Sequence, residues 1–352
     1  MGKTVLPDAR VSPRYSGICT FCRYPRVEDV LPENFPLDWA IYGVASDLGV
    51  TYRSGARFGP RAIREASQYV KRFHLAHNVD VCAALSMADG GDAPVSPYSI
   101  EQTLDLVEEF ALGLSEQGGE VGLVDGSAGG ISATKLFAVG GDHSITYANI
   151  RASYARQGEP PGGLALVHFD THLDTVDVLW GEKYSHASVF RRAIEEGYVN
   201  PKKMISIGIK GPLNSADDLA FCLQHGVTLA TYDEIVRPPS GGLATAGTSR
   251  GAVNFAMLDT FVQRVGNHPA YVTFDIDVVD PAFAPGTGTP CPGGFTSAEV
   301  LDLLRRLKGL NVVGGDVVEV LPERDPAGLT AFLAAHVMFE IIALDAARRA
   351  RA

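Results

Sequence analysis

The stretch "LALVHFDTHLDT" (residues 164–175) joins an apolar run to a set of polar side chains. Leu164, Ala165, Leu166 and Val167 read as a buried strand. Beyond them, Asp170, His172 and Asp174 fall at every second position. Alternate residues of an extended segment share a face, so two carboxylates and an imidazole converge on one side. A purely structural strand end would place apolar residues there. These residue types suggest a metal, although one segment alone does not establish it.

Similar apolar runs recur outward from this stretch. "DWAIYGVA" (38–45), "KLFAVGG" (135–141), "MISIGIK" (204–210), "AYVTFDID" (270–277) and "NVVGGDVVEV" (311–320) all read as buried strands. Helical patterns lie among them: "GPRAIREASQYVKRF" (59–73), "SITYANIRASYARQ" (144–157), "HASVFRRAIEEG" (186–197), "SAEVLDLLRRL" (297–307) and "LTAFLAAHVMFEIIALDAARR" (329–349). The alternation predicts an α/β fold, with a mainly parallel, doubly wound sheet and helices on both faces. "GGEVGLVDGSAGG" (118–130) and "PPSGGLATAGTSRG" (238–251) read as surface loops, because the strand rhythm continues across both. The expected organisation is an N-terminal arm over residues 1–37 and one catalytic domain over 38–352. The active site is expected where the strands end.

Composition sets outer bounds. A formal net charge of −11 argues against a general nucleic-acid binder and favours a cationic ligand. No apolar stretch reads as a membrane span, and "MGKTVLPDAR" has neither a signal-peptide core nor, with Leu6, a myristoylation pattern. The expectation is a cytoplasmic protein with no membrane partner. Five irregularly spaced cysteines speak against a disulfide framework and for a reducing compartment. Cys19 and Cys22 form one C-x-x-C, without the second pair or nearby histidine that structural zinc would need.

Two further strand ends carry metal-type residues. Asp275 and Asp277 alternate in "VTFDIDVVDPAFAPGTG" (272–288), and "AVGGDHS" (138–144) presents His143 after paired glycines. Taken singly, His143 reads as a cap or satisfied core residue, and either Asp pair as a loop cap. Three such motifs, each at a strand terminus, argue against coincidence. Together they offer His143, Asp170, His172, Asp174, Asp275 and Asp277. Four carboxylates and two imidazoles exceed what one catalytic zinc requires. Without a thiolate they suit a pair of Mn, Ni, Co or Fe ions.

"GGDHS" (140–144), "HFDTHLD" (168–174) and "FDIDVVDPAFAPGTGTP" (274–290) resemble, in order and spacing, the three signatures of the ureohydrolases, the arginase and agmatinase family. "YRSGARFGPRAIREAS" (52–67), which is similar to the agmatinase branch, and "VVGGDVVEVLPERD" (312–325) extend the resemblance over most of the chain. The resemblance implies a three-layer arginase-like fold and hydrolysis of a guanidine C–N bond, releasing urea or a urea derivative plus an amine. It implies two divalent ions per chain, Mn or Ni, with a water between them supplying the hydroxide that attacks. His143, Asp170, Asp174 and Asp275 would hold one ion, and His172, Asp170, Asp275 and Asp277 the other. Asp277 would shuttle the proton to the leaving amine. Glu319 matches the family's substrate-binding glutamate, suited to planar guanidinium N–H groups. His186 matches the histidine that contacts substrate or relays protons, and Asp177, Trp180 and Tyr184 in the same segment would line the pocket. The family also implies a homo-oligomer, trimeric or hexameric, or a hetero-oligomer with a paralogous subunit.

Three departures from the family pattern bear on the substrate. Ala187 stands where glycine is usual, Thr171 where alanine is usual, and Cys291 where agmatinases often carry an acidic residue. They point to a small guanidino compound other than arginine, with guanidinobutyrate, free guanidine and metformin as candidates. The competing readings are a nickel-dependent metformin or guanidine hydrolase, a single-zinc deacetylase-like amidohydrolase, and a non-catalytic binding or regulatory subunit.

Overall fold

Apolar side chains occupy both parities of the central strands, so both faces of the sheet must be covered. The structure, a computed structural model, describes residues 3–114, 134–236 and 253–350. Its strands are β1 (Trp39–Val44), β2 (Phe73–His74), β3 (Val79–Asp80), β4 (Met87–Asp92), β5 (Lys135–Gly140), β6 (Leu164–Phe169), β7 (Val199–Ile207), β8 (Thr228–Ala230), β9 (Pro269–Asp275) and β10 (Asn311–Val318). β2 and β3 form a small antiparallel pair. The other eight make one parallel sheet in the order β4-β1-β5-β10-β9-β6-β7-β8.

Within β5, Phe137 and Val139 belong to one core layer, while Leu136 and Ala138 belong to the other. In β6, Ala165, Val167 and Phe169 likewise oppose Leu164 and Leu166. Helices Ile100–Gly113, Thr146–Arg156 and Val189–Glu195 cover one face; Gly59–Ala66, Ala256–Val265, Ser297–Arg306 and Leu329–Arg349 cover the other. The three-layer α/β arrangement expected from the sequence is therefore present.

Leu329–Arg349 is long and apolar enough to cross a bilayer, contrary to the reading of the sequence, but 83% of its most apolar window is buried in the core. Its Asp345 accepts from Trp39 Nε1 at 3.0 Å and pairs with Lys135 at 2.8 Å, tying the helix to β1 and β5. The helix expected over 59–73 ends at Ala66. There Ser67 donates its hydroxyl to the Arg64 carbonyl and accepts from the Cys22 amide, which draws the N-terminal arm onto the turn. Strands β4 and β8 escaped the sequence reading, the first being "MADGGD" and the second three residues long. Both glycine-rich stretches, 118–130 and 238–251, lie outside the described residues.

All five cysteines are free. Cys19 is exposed whereas Cys22 is buried, and burial pushes the Cys22 thiol up to about 12. A neutral buried thiol is a poor nucleophile, so the pair lacks the character of a redox motif.

The chain order decides what meets at the carboxyl ends of the strands. β9 and β10, the last strands in the chain, lie between β5 and β6. Consequently β5, β10, β9 and β6 are consecutive neighbours, and their ends open onto one crevice. Gly141, just beyond β5, is wedged against β1: its amide donates to Val44 O at 3.0 Å, and its carbonyl accepts from Glu319 N at 2.9 Å. A Cβ on Gly141 would stand 2.2 Å from Ser46 O and 2.7 Å from Val44 O. We predict that Gly141→Ala destabilises the fold by about 1–3 kcal/mol and weakens metal binding by displacing His143. Denaturant unfolding with metal analysis checks this; wild-type values in both would contradict it.

Candidate metal centre and active site

Four adjacent strand ends deliver the polar residues. β5 leads into a short 3-10 turn at His143–Ile145, β6 into Asp170, β9 ends on Asp275, and β10 is followed by Glu319. Asp142 fixes the first of these ends, accepting from the amides of Ser144 and Gly49, each at 2.8 Å. Burial, reinforced by the charge of Glu319, pushes the Asp142 carboxyl up to about 6.

His143 is fully buried, and its Nε2 lies 2.9 Å from Thr273 Oγ1. With Thr273 Oγ1 accepting the Nε2 proton, the Nδ1 lone pair faces inward. Nδ1 is buried without a hydrogen bond. Around it stand oxygens of Asp174 at 2.9 Å, Asp170 at 3.1 Å and Asp275 at 3.3 Å. Neighbouring donors of an octahedral centre with bonds of about 2.1 Å sit about 3.0 Å apart. The spacing is therefore that of ligands around a common ion.

A second cluster adjoins the first. His172 Nδ1 lies 3.1 Å from Asp277 Oδ2 and 3.3 Å from Asp170 Oδ1. Asp170 thus turns one oxygen to each histidine, Oδ2 to His143 and Oδ1 to His172. Asp275 directs Oδ2 to His143, while its Oδ1 accepts from the Asp277 amide at 2.8 Å. Thr289 donates to Asp277 Oδ2 at 3.1 Å. All six residues expected to be ligands come together, and their oxygen and imidazole donors suit divalent first-row ions.

The electrostatics agree with cation binding. Burial first, then the charges of Asp277 and Asp170, raises the Asp275 carboxyl well above the ordinary range. Burial acts the same way on Asp170, but the imidazoles of His143, His168 and His172 outweigh it and hold that carboxyl well below the ordinary range. For His143, burial disfavours the imidazolium, yet Asp170, Asp174 and Asp275 raise it well above a usual histidine. Without cations, protons take over part of the charge balance.

His168 was missed in the sequence although it shares the parity of Asp170, His172 and Asp174. Its Nδ1 lies 3.1 Å from Ser206 Oγ and its Nε2 3.0 Å from Asp170 Oδ2, so it steers the carboxylate between the two clusters. Thr273 and Thr289 were missed as well, since a lone threonine carries no signal until its neighbours are placed. Thr171, one of the departures, donates its hydroxyl to Asp277 O at 3.0 Å and thereby ties two ligand loops together.

Glu319 is 1% exposed and sits behind the His143 turn with φ +64°. Its Oε1 accepts from the His143 amide at 2.9 Å and lies 2.9 Å from His186 Nδ1. Asp174 also has positive φ, +52°. Left-handed backbone at non-glycine residues costs about 1–3 kcal/mol each and persists where surrounding contacts enforce it. Burial disfavours the His186 imidazolium, while the charges of Glu319 and Asp142 push its pKa up to about 9.

A cleft of about 560 Å³ opens over this floor, lined among others by Thr51, His172, Asp174, His186 and Phe221. Asp177 and Ala187 also line it. Asp177 pairs with Arg192 at 2.5 Å and with Arg191 at 3.5 Å. Trp180 stands 79% exposed in the turn at Leu179–Glu182 and is not part of the cleft lining. Tyr184 packs against Tyr147, with ring centroids 5.5 Å apart. Cys291 is half-buried and also outside the lining.

A parallel three-layer domain with paired His/Asp clusters at its strand ends defines a metal hydrolase of the ureohydrolase class. The Arginase family pattern matches residues 37–343, and the chain belongs to that family. It is 39% identical to guanidinopropionase of Pseudomonas aeruginosa, covering 98% of this chain and 96% of that protein. It is 38% identical to proclavaminate amidinohydrolase of Streptomyces clavuligerus, covering 95% of each. Among solved structures, the proclavaminate amidino hydrolase from Streptomyces clavuligerus superposes with TM-score 0.78 at 36% identity, covering 96% of this chain and 100% of that one. A hypothetical agmatinase from Burkholderia thailandensis gives TM-score 0.77 at 32% identity, covering 96% and 93%. The chain lies in the agmatinase-like branch and is a hydrolase of C–N bonds in linear amidines.

Two predictions concern metal loading. Asp170→Ala should lose both ions and His172→Ala one, measured as metal per chain; full loading of Asp170→Ala would contradict the shared position. Because the raised groups His143 and Asp275 must shed protons to bind cations, Mn²⁺ affinity should fall as pH drops from about 8 to about 6. Titration calorimetry showing no change over that interval would remove the proton competition.

Proposed function

We propose that the protein hydrolyses a guanidine C–N bond of a small guanidino compound other than arginine, using two divalent ions, Mn or Ni. The observation that carries this reading is the double cluster sharing Asp170, set directly against Glu319 and His186. His143, Asp174 and Asp275 would hold one ion and His172 and Asp277 the other, with Asp170 between them; Asp275, expected from the sequence to serve both ions, turns Oδ2 toward His143 and engages Oδ1 with the Asp277 amide. When bound, the ions supply Lewis-acid activation of water at neutral pH.

The protein's own groups do the remaining work. Glu319 would offer its buried carboxylate to the guanidinium, orienting the carbon through charge-assisted N–H···O bonding to the oxygen not already engaged. Its Oε1 already accepts from the His143 amide and faces the His186 ring, so Oε2 remains for substrate. Asp277, held at Oδ2 by Thr289, would accept the proton given up by the attacking water and pass it to the departing amine. The cleft of about 560 Å³ exceeds what a bare guanidinium fills, which favours a substrate carrying a short tail. Guanidinopropionate-like acids and agmatine fit that description, since relatives bear the names guanidinopropionase and agmatinase. Two His/Asp clusters count against a single-zinc deacetylase, and a complete ligand set counts against a non-catalytic subunit.

The test is a screen of Mn- and Ni-loaded protein against guanidino compounds, including metformin and guanidine, with urea, guanylurea and amine measured. Release of urea and an amine from a short-tailed compound is expected; no turnover with either metal would overturn the proposal. Glu319→Gln should lower kcat/KM by about 10²–10³ with metal content retained, and normal kinetics would remove Glu319 from substrate binding.

A further inference from the structure

Lys210 follows β7, is half-buried, and is not part of the cleft lining. Gly208 lets the end of β7 pass close to both ligand loops: a Cβ there would stand 2.3 Å from Val278 Cγ2 and 3.1 Å from Asp170 O. Two residues on, Lys210 Nζ donates to Thr171 Oγ1, to Asp277 O at 3.3 Å and to Val278 O at 3.4 Å. An ammonium carries three protons, and all three are taken. The two carbonyls end the 3-10 turn Ile276–Val278, and the last C=O groups of such a turn find no partner within it. Asp277 O also accepts from the Thr171 hydroxyl at 3.0 Å, while the Thr171 amide donates to Asp277 Oδ1 at 3.3 Å. Backbone and side chain of Asp277 are thus both gripped from the loop that carries His172.

We infer that Lys210 and Thr171 form a clasp that sets Asp277 against His172, making both of them positioning residues for the second ion. Thr171, a departure from the family pattern, then serves the metal and not the substrate. Two effects of Lys210 oppose each other. Its charge sits beside Asp277 and repels a cation bound there. Its hydrogen bonds hold the Asp277 loop in the shape that binds one. Three oxygens surround the ammonium and offset its charge locally, so the hydrogen bonds prevail and removing Lys210 weakens the second ion. The inference rests on the reading of two ions and specifies how one of them is held.

Stepwise Mn²⁺ titration calorimetry of the metal-free protein reads each ion without turnover. Lys210→Met should weaken the second binding step by about 10–100-fold and leave the first unchanged. Thr171→Val, which removes the hydroxyl at nearly constant shape, should weaken the same step by about tenfold. Lys210→Arg keeps the charge and the donors and should bind the second ion as the wild type does. In the His172→Ala background, where only the first ion is expected, adding Lys210→Met should change nothing. Unchanged second-step binding in Lys210→Met would overturn the inference. Tighter binding would overturn it too, by showing that repulsion outweighs positioning, and so would an equal weakening of both steps, the mark of general damage. A wild type that binds a single ion would instead remove the two-ion reading, and the clasp with it.

Discussion

The Asp170 carboxylate is the point on which the site depends. It is fully buried and shared among three imidazoles: His143 and His168 at Oδ2, and His172 at Oδ1. Three more carboxylates, those of Asp174, Asp275 and Asp277, crowd the same space. Buried like charges of this density are tolerated only with compensating positive charge. Everything around the cluster holds the anions in place rather than letting them relax into solvent: Thr273 behind His143, Ser206 behind His168, Thr289 on Asp277. The sheet supplies the rigidity. Loops alone would let the carboxylates separate.

Such an arrangement has to be paid for in stability, and the fold shows where. Glu319 and Asp174 sit in left-handed backbone, and Gly141 admits no side chain where β1, β5 and β10 converge. Core layers on both faces of the sheet offset these costs. The long helix Leu329–Arg349, locked by Asp345 to Trp39 and Lys135, belongs to that support.

Much of this was legible in the sequence because a strand writes its faces at a period of two. The alternation in "HFDTHLDT" placed Asp170, His172 and Asp174 on one side, and the same logic placed Asp275 and Asp277. The alternation also contained His168, which attention to Asp170 alone passed over. Other features are long-range by nature. Nothing local shows that β10 inserts between β5 and β9, so Glu319 falls inside the cluster instead of beside it. Thr51 meets His186 across 135 positions of chain, and Thr273 meets His143 across 130. Hydroxyl partners of that kind have no periodic signature. How the N-terminal arm packs is equally non-local: Phe21 and Cys22 are buried in the core with Trp39. Its contact with Ser67 also shortens the first long helix, a tertiary effect that helix propensity does not contain.

Anomalous diffraction from crystals grown with Mn²⁺ tests the central claim most directly. Two peaks about 3.5–4 Å apart are expected, one against His143 and Asp174, the other against His172 and Asp277, with the Asp170 carboxylate between them. A single peak, or none at Asp170, would contradict a centre built on that shared carboxylate.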